Sequence, residues 1–407
     1  MQPAVANLNF PTGVALDAGG GVYITESGLP FDGAPPGGRL LRITPDGRQE
    51  CLLDGLRVPV NGVSLHDGWL YISEGGNPGR ITRYNIATSD WRVVLDGLPG
   101  FGNYHTNEAV MGPDGKLYFS QGAMTNSGVI GTDSRDLAWL REVEHNCDIP
   151  GFDVVLADSA NGAFLPFGAV SQPGLRIPGR VPCTASVMRC DPDGAHLEMV
   201  AWGLRNAYGL GFLPDGRLLT TDQGADERGA RPIANCPDFL YEVVPGAWYG
   251  WPDFMGGRPV TDDCFHPADS PAPEFLLANH AELPPPQSPL LKFEANASAV
   301  KFAVVPPGIA RFAGHLIMAL FGDETPMTAR SGPRVGRKLV RVDPAGWSVH
   351  PVQPMPFHRP IDVAFDASGS AVYALDFGQF EMTPEMAVEA RAASGGLWRL
   401  CPDFMEV

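Results

Sequence analysis

Between Gly203 and Pro252 the chain gathers side chains able to do chemistry: Arg205 and Asn206, then Asp222-Gln223-Gly224-Ala225-Asp226-Glu227. Two apolar runs, Tyr208–Leu213 and Arg217–Thr221, lie between these groups and flank Pro214-Asp215-Gly216. Apolar runs joined by a tight Asp-Gly turn signal a hairpin, which returns its two ends to one sheet edge, so both polar groups should share a rim. Arg205 could stabilise a developing oxyanion or hold an anionic cofactor, with Asn206 bonding the same group. Equally, Arg205 could pair with Asp222 or Glu227 and simply hold its sheet together. The three carboxylates of Asp222–Glu227 around Gly224 suit a hard, oxygen-seeking cation such as calcium, although a solvated acidic loop reads the same way. His105 is the candidate acid or base, because imidazole titrates near neutrality and it precedes an apolar run instead of sitting inside one; a structural histidine is the plain alternative. No nucleophile elbow, phosphate loop, dinucleotide fingerprint or His-Glu-x-x-His pattern occurs.

The elements that must position these groups repeat. Pro11–Leu16 with Gly21–Glu26 and Arg39–Ile43, then Val60–Leu65 with Trp69–Glu74 and Arg80–Tyr84, are two copies of one unit. A third begins at His105, the fourth is the stretch above, a fifth uses Ala299–Val304, Leu316–Leu320 and Lys338–Val342, and a sixth uses Pro360–Phe365, Ala371–Leu375 and Leu397–Leu400. Such a period predicts an all-β, six-bladed propeller in one domain over 1–407, with long insertions at about 121–180 and 225–296. Closing the ring requires a partner for the last blade, and an N-terminal strand would serve. Thr383–Ala393, rich in helix formers after Pro384, predicts the one helix. The residues entering each inner strand should converge on the central channel: Thr12, Asn61, His105 to Glu108, Arg205-Asn206, Ser298 and His358-Arg359.

Composition limits the partners. The 407 residues are 44% hydrophobic and carry 49 glycines and 40 prolines, which favours short strands and many turns. A net charge of −17 argues against nucleic acid and against an anionic membrane surface, and no apolar run is long enough to insert into a bilayer. A small-molecule substrate is the expected partner. The protein reads as soluble, periplasmic or secreted if a leader was removed and otherwise cytoplasmic. The seven scattered cysteines read as buried or free thiols, with Cys183–Cys190 or Cys236–Cys264 as possible bridges.

From Phe10-Pro11-Thr12-Gly13 to Gly395-Gly396-Leu397-Trp398-Arg399-Leu400 the chain resembles the glucose/sorbosone dehydrogenase family. The specific motifs are His105 followed by Gly112-Pro113-Asp114-Gly115-Lys116-Leu117-Tyr118, Gly203-Leu204-Arg205-Asn206, and Gln223-Gly224 leading to Tyr249-Gly250-Trp251-Pro252. The resemblance implies a six-bladed propeller that uses pyrroloquinoline quinone and calcium to oxidise a sugar or related hydroxyl or aldehyde substrate. It makes His105 the base, gives Arg205, Asn206 and Arg359 contacts with the quinone, and places calcium at Gly224, Ala225 and Asp226. In the fifth blade, where that family usually places a lysine or histidine, this chain has Asp323-Glu324. The departure keeps open a calcium-dependent propeller hydrolase, resembling lactonases and organophosphatases, with a central metal held by Glu26, Glu74, Asn61, Asn107 and Asn206. A ligand-binding propeller without catalysis is the third reading.

Overall fold

The computed structural model describes residues 3–406 apart from residues 45, 77, 101, 132, 135–146, 158–162, 167 and 386. Six four-stranded antiparallel sheets follow one another along the chain, giving the expected six-bladed propeller. Blade one runs outward from the axis through Pro11–Leu16, Val22–Glu26, Gly38–Ile43 and Gln49–Leu56. The inner strands of the other blades are Val60–His66, Thr106–Met111, Leu210–Phe212, Ala299–Val304 and Pro360–Phe365. The Asp-Gly turns do what their sequence asks: Gly115 and Gly216 take φ of +76° and +89°, which glycine adopts without strain, and reverse the chain between first and second strands.

Burial explains why the blades need one another. Second strands such as Leu117–Gln121 and Leu316–Leu320 are buried along their whole length, whereas the outer strand Gln49–Leu56 is mostly exposed. Leu219 and Leu240 of blade four pack on Ala299, Leu316 and Met318 of blade five, so each sheet face is covered by its neighbour. Side chains also tie neighbouring blades together around the axis. Thr12 donates to Val60 O at 2.7 Å, Ser64 to Ala109 O at 2.5 Å and Thr221 to Val300 O at 2.8 Å. The ring closes as expected: Val5–Leu8 forms the outer strand of blade six against Gly395–Leu400, with Val5 opposite Leu397.

Two expectations change. Thr383–Ala393 is not a helix, since Phe380–Met382 and Val388–Ala390 pair as a hairpin, and Phe380 packs on Phe31, Phe321 and Phe377. Tertiary packing there overrides the helical preference of the intervening residues. Residues 225–296 are not all insertion, because they include Pro237–Glu242 and Leu291–Ala295, the third and fourth strands of blade four. The extra chain of blade three, 122–185, holds a small ribbon of Val154–Val155 with Arg176–Ile177; part of the predicted insertion at 121–180 lies outside the described residues. All seven cysteines are unbridged. Among the described residues no helix is long and apolar enough to cross a membrane.

Candidate active site at the channel mouth

All six inner strands run the same way, so their first residues meet at one mouth of the axial channel. There the predicted polar ring forms a chain of amides. Asn61 Nδ2 donates to Thr106 O at 2.9 Å and to Asn107 Oδ1 at 3.3 Å. Asn107 Nδ2 donates to Asn206 Oδ1 at 2.9 Å, Asn206 Nδ2 to Gln223 Oε1 at 2.7 Å, and Gln223 Nε2 to Ser298 Oγ at 2.7 Å. Asn107, Asn206 and Gln223 each donate and accept, which fixes their orientation, and the chain from Asn61 to Ser298 spans blades two to five.

Glu26 and Glu74 do not join this ring, which corrects the central-metal expectation. Both stand at the ends of second strands: Glu26 pairs with Arg39, and Glu74 pairs with Arg80 at 2.7 Å while accepting from Thr82 at 2.8 Å. Asn61, Asn107 and Asn206 do converge, but on one another and without a carboxylate. The metal site that a hydrolase would need is therefore not assembled from those residues.

His105 stands beside the ring. Gly75 and Gly122 let it approach: a Cβ on Gly75 would lie 2.6 Å from His105 Cβ and 3.0 Å from Asn61 Nδ2, and one on Gly122 would lie 2.8 Å from Asn206 Oδ1. Its Nδ1 is 2.9 Å from Gly100 O. A carbonyl only accepts, so Nδ1 carries the proton and Nε2 keeps its lone pair. Nε2 has no partner among the described residues, and burial lowers the imidazole pKa, so the ring is held as a neutral base.

Next to it opens a pocket of about 330 Å³, lined by Tyr104, Arg205, Gly224, Asp226, Arg228 and Glu324 among others. Arg205 is 2% exposed, and every one of its nitrogens is engaged. Nε donates to Asn126 O at 2.9 Å, Nη1 to Gln223 O at 3.2 Å and to Gly224 O, and Nη2 to Asn126 Oδ1, Asp226 Oδ2 (both 2.7 Å) and the Tyr104 hydroxyl. Arg228 is tied to Asp226 at 3.0 Å and Asp133 at 2.7 Å. Asp222 accepts from Asn206 N at 2.8 Å and burial lifts it to about 7. Asp238 accepts from the backbone of Gly224 and Ala299, both at 2.9 Å, and burial lifts it to about 6. The Glu324 carboxylate has no bonding partner among the described residues, and burial pushes it up to about 7. Arg359 is not brought to this pocket. Fully buried, it donates to Phe380 O, Gly322 O and Glu381, and it lines a separate cavity of about 750 Å³ with His358 and Phe31.

A cation here would meet carboxylate oxygens of Asp226 and Glu324 and the Gly224 carbonyl, hard oxygens of the kind calcium takes, while among the described residues no group of three His, Cys, Asp or Glu side chains is gathered to hold a metal. The Gly224 oxygen is shared with the Arg205 guanidinium, so the carboxylates are the stronger ligands. A quinone with three carboxylates has room here, but Arg205 and Arg228 are already neutralised, so it fits only alongside a divalent cation. The sequence marks Glu324 only as a departure from the family pattern, and it does not point to Asn126, Tyr104 or Arg228. Asn126 belongs to the extra chain of blade three, and no local pattern marks it.

No family model matches the chain. It is 27% identical over 290 residues to quinoprotein glucose dehydrogenase B of Acinetobacter calcoaceticus, a match covering 62% of this chain and 52% of that protein. The chain thus spans about half the length of the curated relative it matches. Among solved structures it is similar to the pyrroloquinoline-quinone-bound aldose sugar dehydrogenase of Streptomyces coelicolor, with TM-score 0.58 and 18% identity over 98% of this chain and 96% of that one. It is also similar to the calcium structure of a Trichoderma reesei carbohydrate-active enzyme of family AA12, with TM-score 0.57 and 15% identity over 97% and 94% of the two chains. The class is therefore a six-bladed propeller, and the resemblance to quinoprotein sugar dehydrogenases holds in both sequence and fold.

Proposed function

We propose that the protein is an oxidoreductase of the sugar-dehydrogenase kind, which takes a hydroxyl-bearing carbohydrate at the channel mouth with His105 as its base. The observation that carries this reading is the imidazole itself: one nitrogen is fixed by Gly100 O, and the other has no partner among the described residues, one residue along the chain from Tyr104 in the lining of a pocket of about 330 Å³. A base must be neutral and must reach the proton it removes; the buried ring and its Gly100 bond support the first condition, and the neighbouring Tyr104, which lines the pocket, supports the second. Asn206 and Gln223, oriented by the amide chain, present a polar floor that orients hydroxyl groups. Asp226 and Glu324, with the Gly224 carbonyl, would hold calcium; Asn206 and the rim of Arg205 and Arg228 would border the quinone. When bound, the quinone supplies the hydride acceptor and calcium polarises its carbonyl. The kinship with glucose dehydrogenase B supports the sugar class of substrate.

The test is to strip the protein with a chelator, titrate it with pyrroloquinoline quinone with and without calcium, and follow the quinone absorbance as aldoses are added. Saturable, calcium-dependent binding followed by bleaching with a sugar, and loss of bleaching in His105→Ala, is expected. Absence of binding with calcium present would overturn the reading.

A further inference from the structure

At the opposite mouth of the channel, beyond the amide ring, lies a second cavity of about 220 Å³. Val14, Leu65, Val110, Leu210 and Phe302 line part of it, while three charged side chains and Ser64 make most of its accessible lining polar. Lys301, 2% exposed, places Nζ 2.8 Å from Glu108 Oε2 and 3.6 Å from Asp362 Oδ2, and donates to Thr12 O at 2.9 Å. Asp362 is fully used, accepting from Val14 N at 2.9 Å and Val363 N at 2.8 Å. Glu108 is not. It is 7% exposed, and only Oε2 is engaged. Its Oε1 has no partner among the described residues and borders the cavity. Gly62 makes room for this cluster, since a Cβ there would lie 2.7 Å from Lys301 Nζ and 3.1 Å from Glu108 Oε1. Both carboxylates lean on the one ammonium, and Glu108 Oε1 is the acceptor left facing the cavity.

We propose that this cavity binds a small organic ammonium ion, its charged head bonded to Glu108 Oε1 and its alkyl part against Val14, Val110, Leu210 and Phe302. The apolar side chains at one side of the cavity would take the alkyl part, and a hydrated inorganic cation would make no use of them. The groups facing Glu108 from neighbouring blades are Lys301, Asp362 and Tyr208, the last with its ring 6.0 Å from Lys301 Nζ. Burial, reinforced by Asp362 and opposed by Lys301, raises Glu108 to about 7, so a proton competes with the ligand for the same oxygen.

Isothermal titration of the full chain with ethylammonium chloride at constant ionic strength tests this. Saturable binding is expected at pH 8, about tenfold weaker at pH 6, where most of Glu108 is protonated. Glu108→Gln should abolish it. Val110→Phe, which fills the cavity and leaves the carboxylate in place, should abolish it too, and decides the matter if Glu108→Gln does not fold. Equal heats from potassium chloride, no saturation, or unchanged binding in Val110→Phe would overturn the proposal. The site at the other mouth plays no part in any of these readings.

Discussion

Arg205→Ala tests whether this guanidinium is chiefly a structural post. The substitution removes bonds to Asn126 O, Asn126 Oδ1, Gln223 O and Gly224 O, and one of the two arginines on Asp226. Removing one partner of a buried ion pair costs about 3–5 kcal/mol, and each orphaned acceptor adds about 1 kcal/mol. Because Arg228 remains on Asp226, the low end of the first range applies; Asn126 Oδ1 and O keep Asp226 N and Trp251 Nε1 as donors, so only Gln223 O and Gly224 O are orphaned and the total is about 5 kcal/mol. A chain of this length unfolds with an entropy of about 0.85 kcal/mol/K, so the melting temperature should fall by about 6 °C. Differential scanning calorimetry reads this directly, and Arg205→Lys, which keeps the charge but not the fork to Asn126, should lose about half as much. A melting temperature within about 1 °C of the parent, together with lost quinone binding, would refute the argument and make Arg205 a ligand contact.

Other expectations follow from the same geometry. Burial holds the His105 pKa below 6.5, so kcat/KM should decline only as pH drops below that value, and His105→Ala should show no such limb in a pH–rate profile. The unfolded chain protonates more readily than this buried ring, so His105 also makes the fold lose stability as pH falls through the same window. Glu324 has the opposite sign: its folded pKa of about 7 exceeds the ordinary 4.5, so its contribution is fully present below 4.5 and is lost as pH rises through 7. Glu324→Gln should therefore raise the melting temperature at pH 8, while weakening calcium binding at least about tenfold by titration. Gly203→Ala should destabilise the fold by about 2–3 kcal/mol in urea, because φ is +88° and the new Cβ would stand 2.4 Å from Trp248 Cδ1.

The propeller was legible because its turns are spelled locally. Pro214-Asp215-Gly216 between two apolar runs defines a hairpin without any distant information, and the same spelling at Gly112–Gly115 defines another. The channel mouth was partly legible for a related reason: Asn61, Asn107, Asn206 and Ser298 occupy equivalent places at strand entries, so convergence follows from repetition. What was not legible depends on contacts between distant segments. Arg205 reads as an oxyanion or cofactor contact, or as a partner of Asp222 or Glu227, and nothing local points to Asn126, 79 residues away, which takes two of its bonds. Val388 sits inside the helix-like composition of Thr383–Ala393, and its pairing with the strand of Phe380, which packs against Phe31 from the first blade, makes the segment a hairpin. Asp323-Glu324 read as electrostatic misfits; the fold separates them, with Asp323 accepting from Val335 N and Arg334, and Glu324 left facing the pocket.

The seam between Val5–Leu8 and Gly395–Leu400 has a consequence for how the molecule comes into being. During translation the first strand has nothing to pair with until the strand that receives it has been made, so an open β-edge persists while blades one to five assemble. Its closure is the most non-local pairing in the fold and should come late, after the local meanders. A circular permutant that starts at Pro11 and carries residues 3–10 behind Leu400 on a short linker would turn that seam into a neighbouring pairing. It should refold faster with the same blades and the same channel.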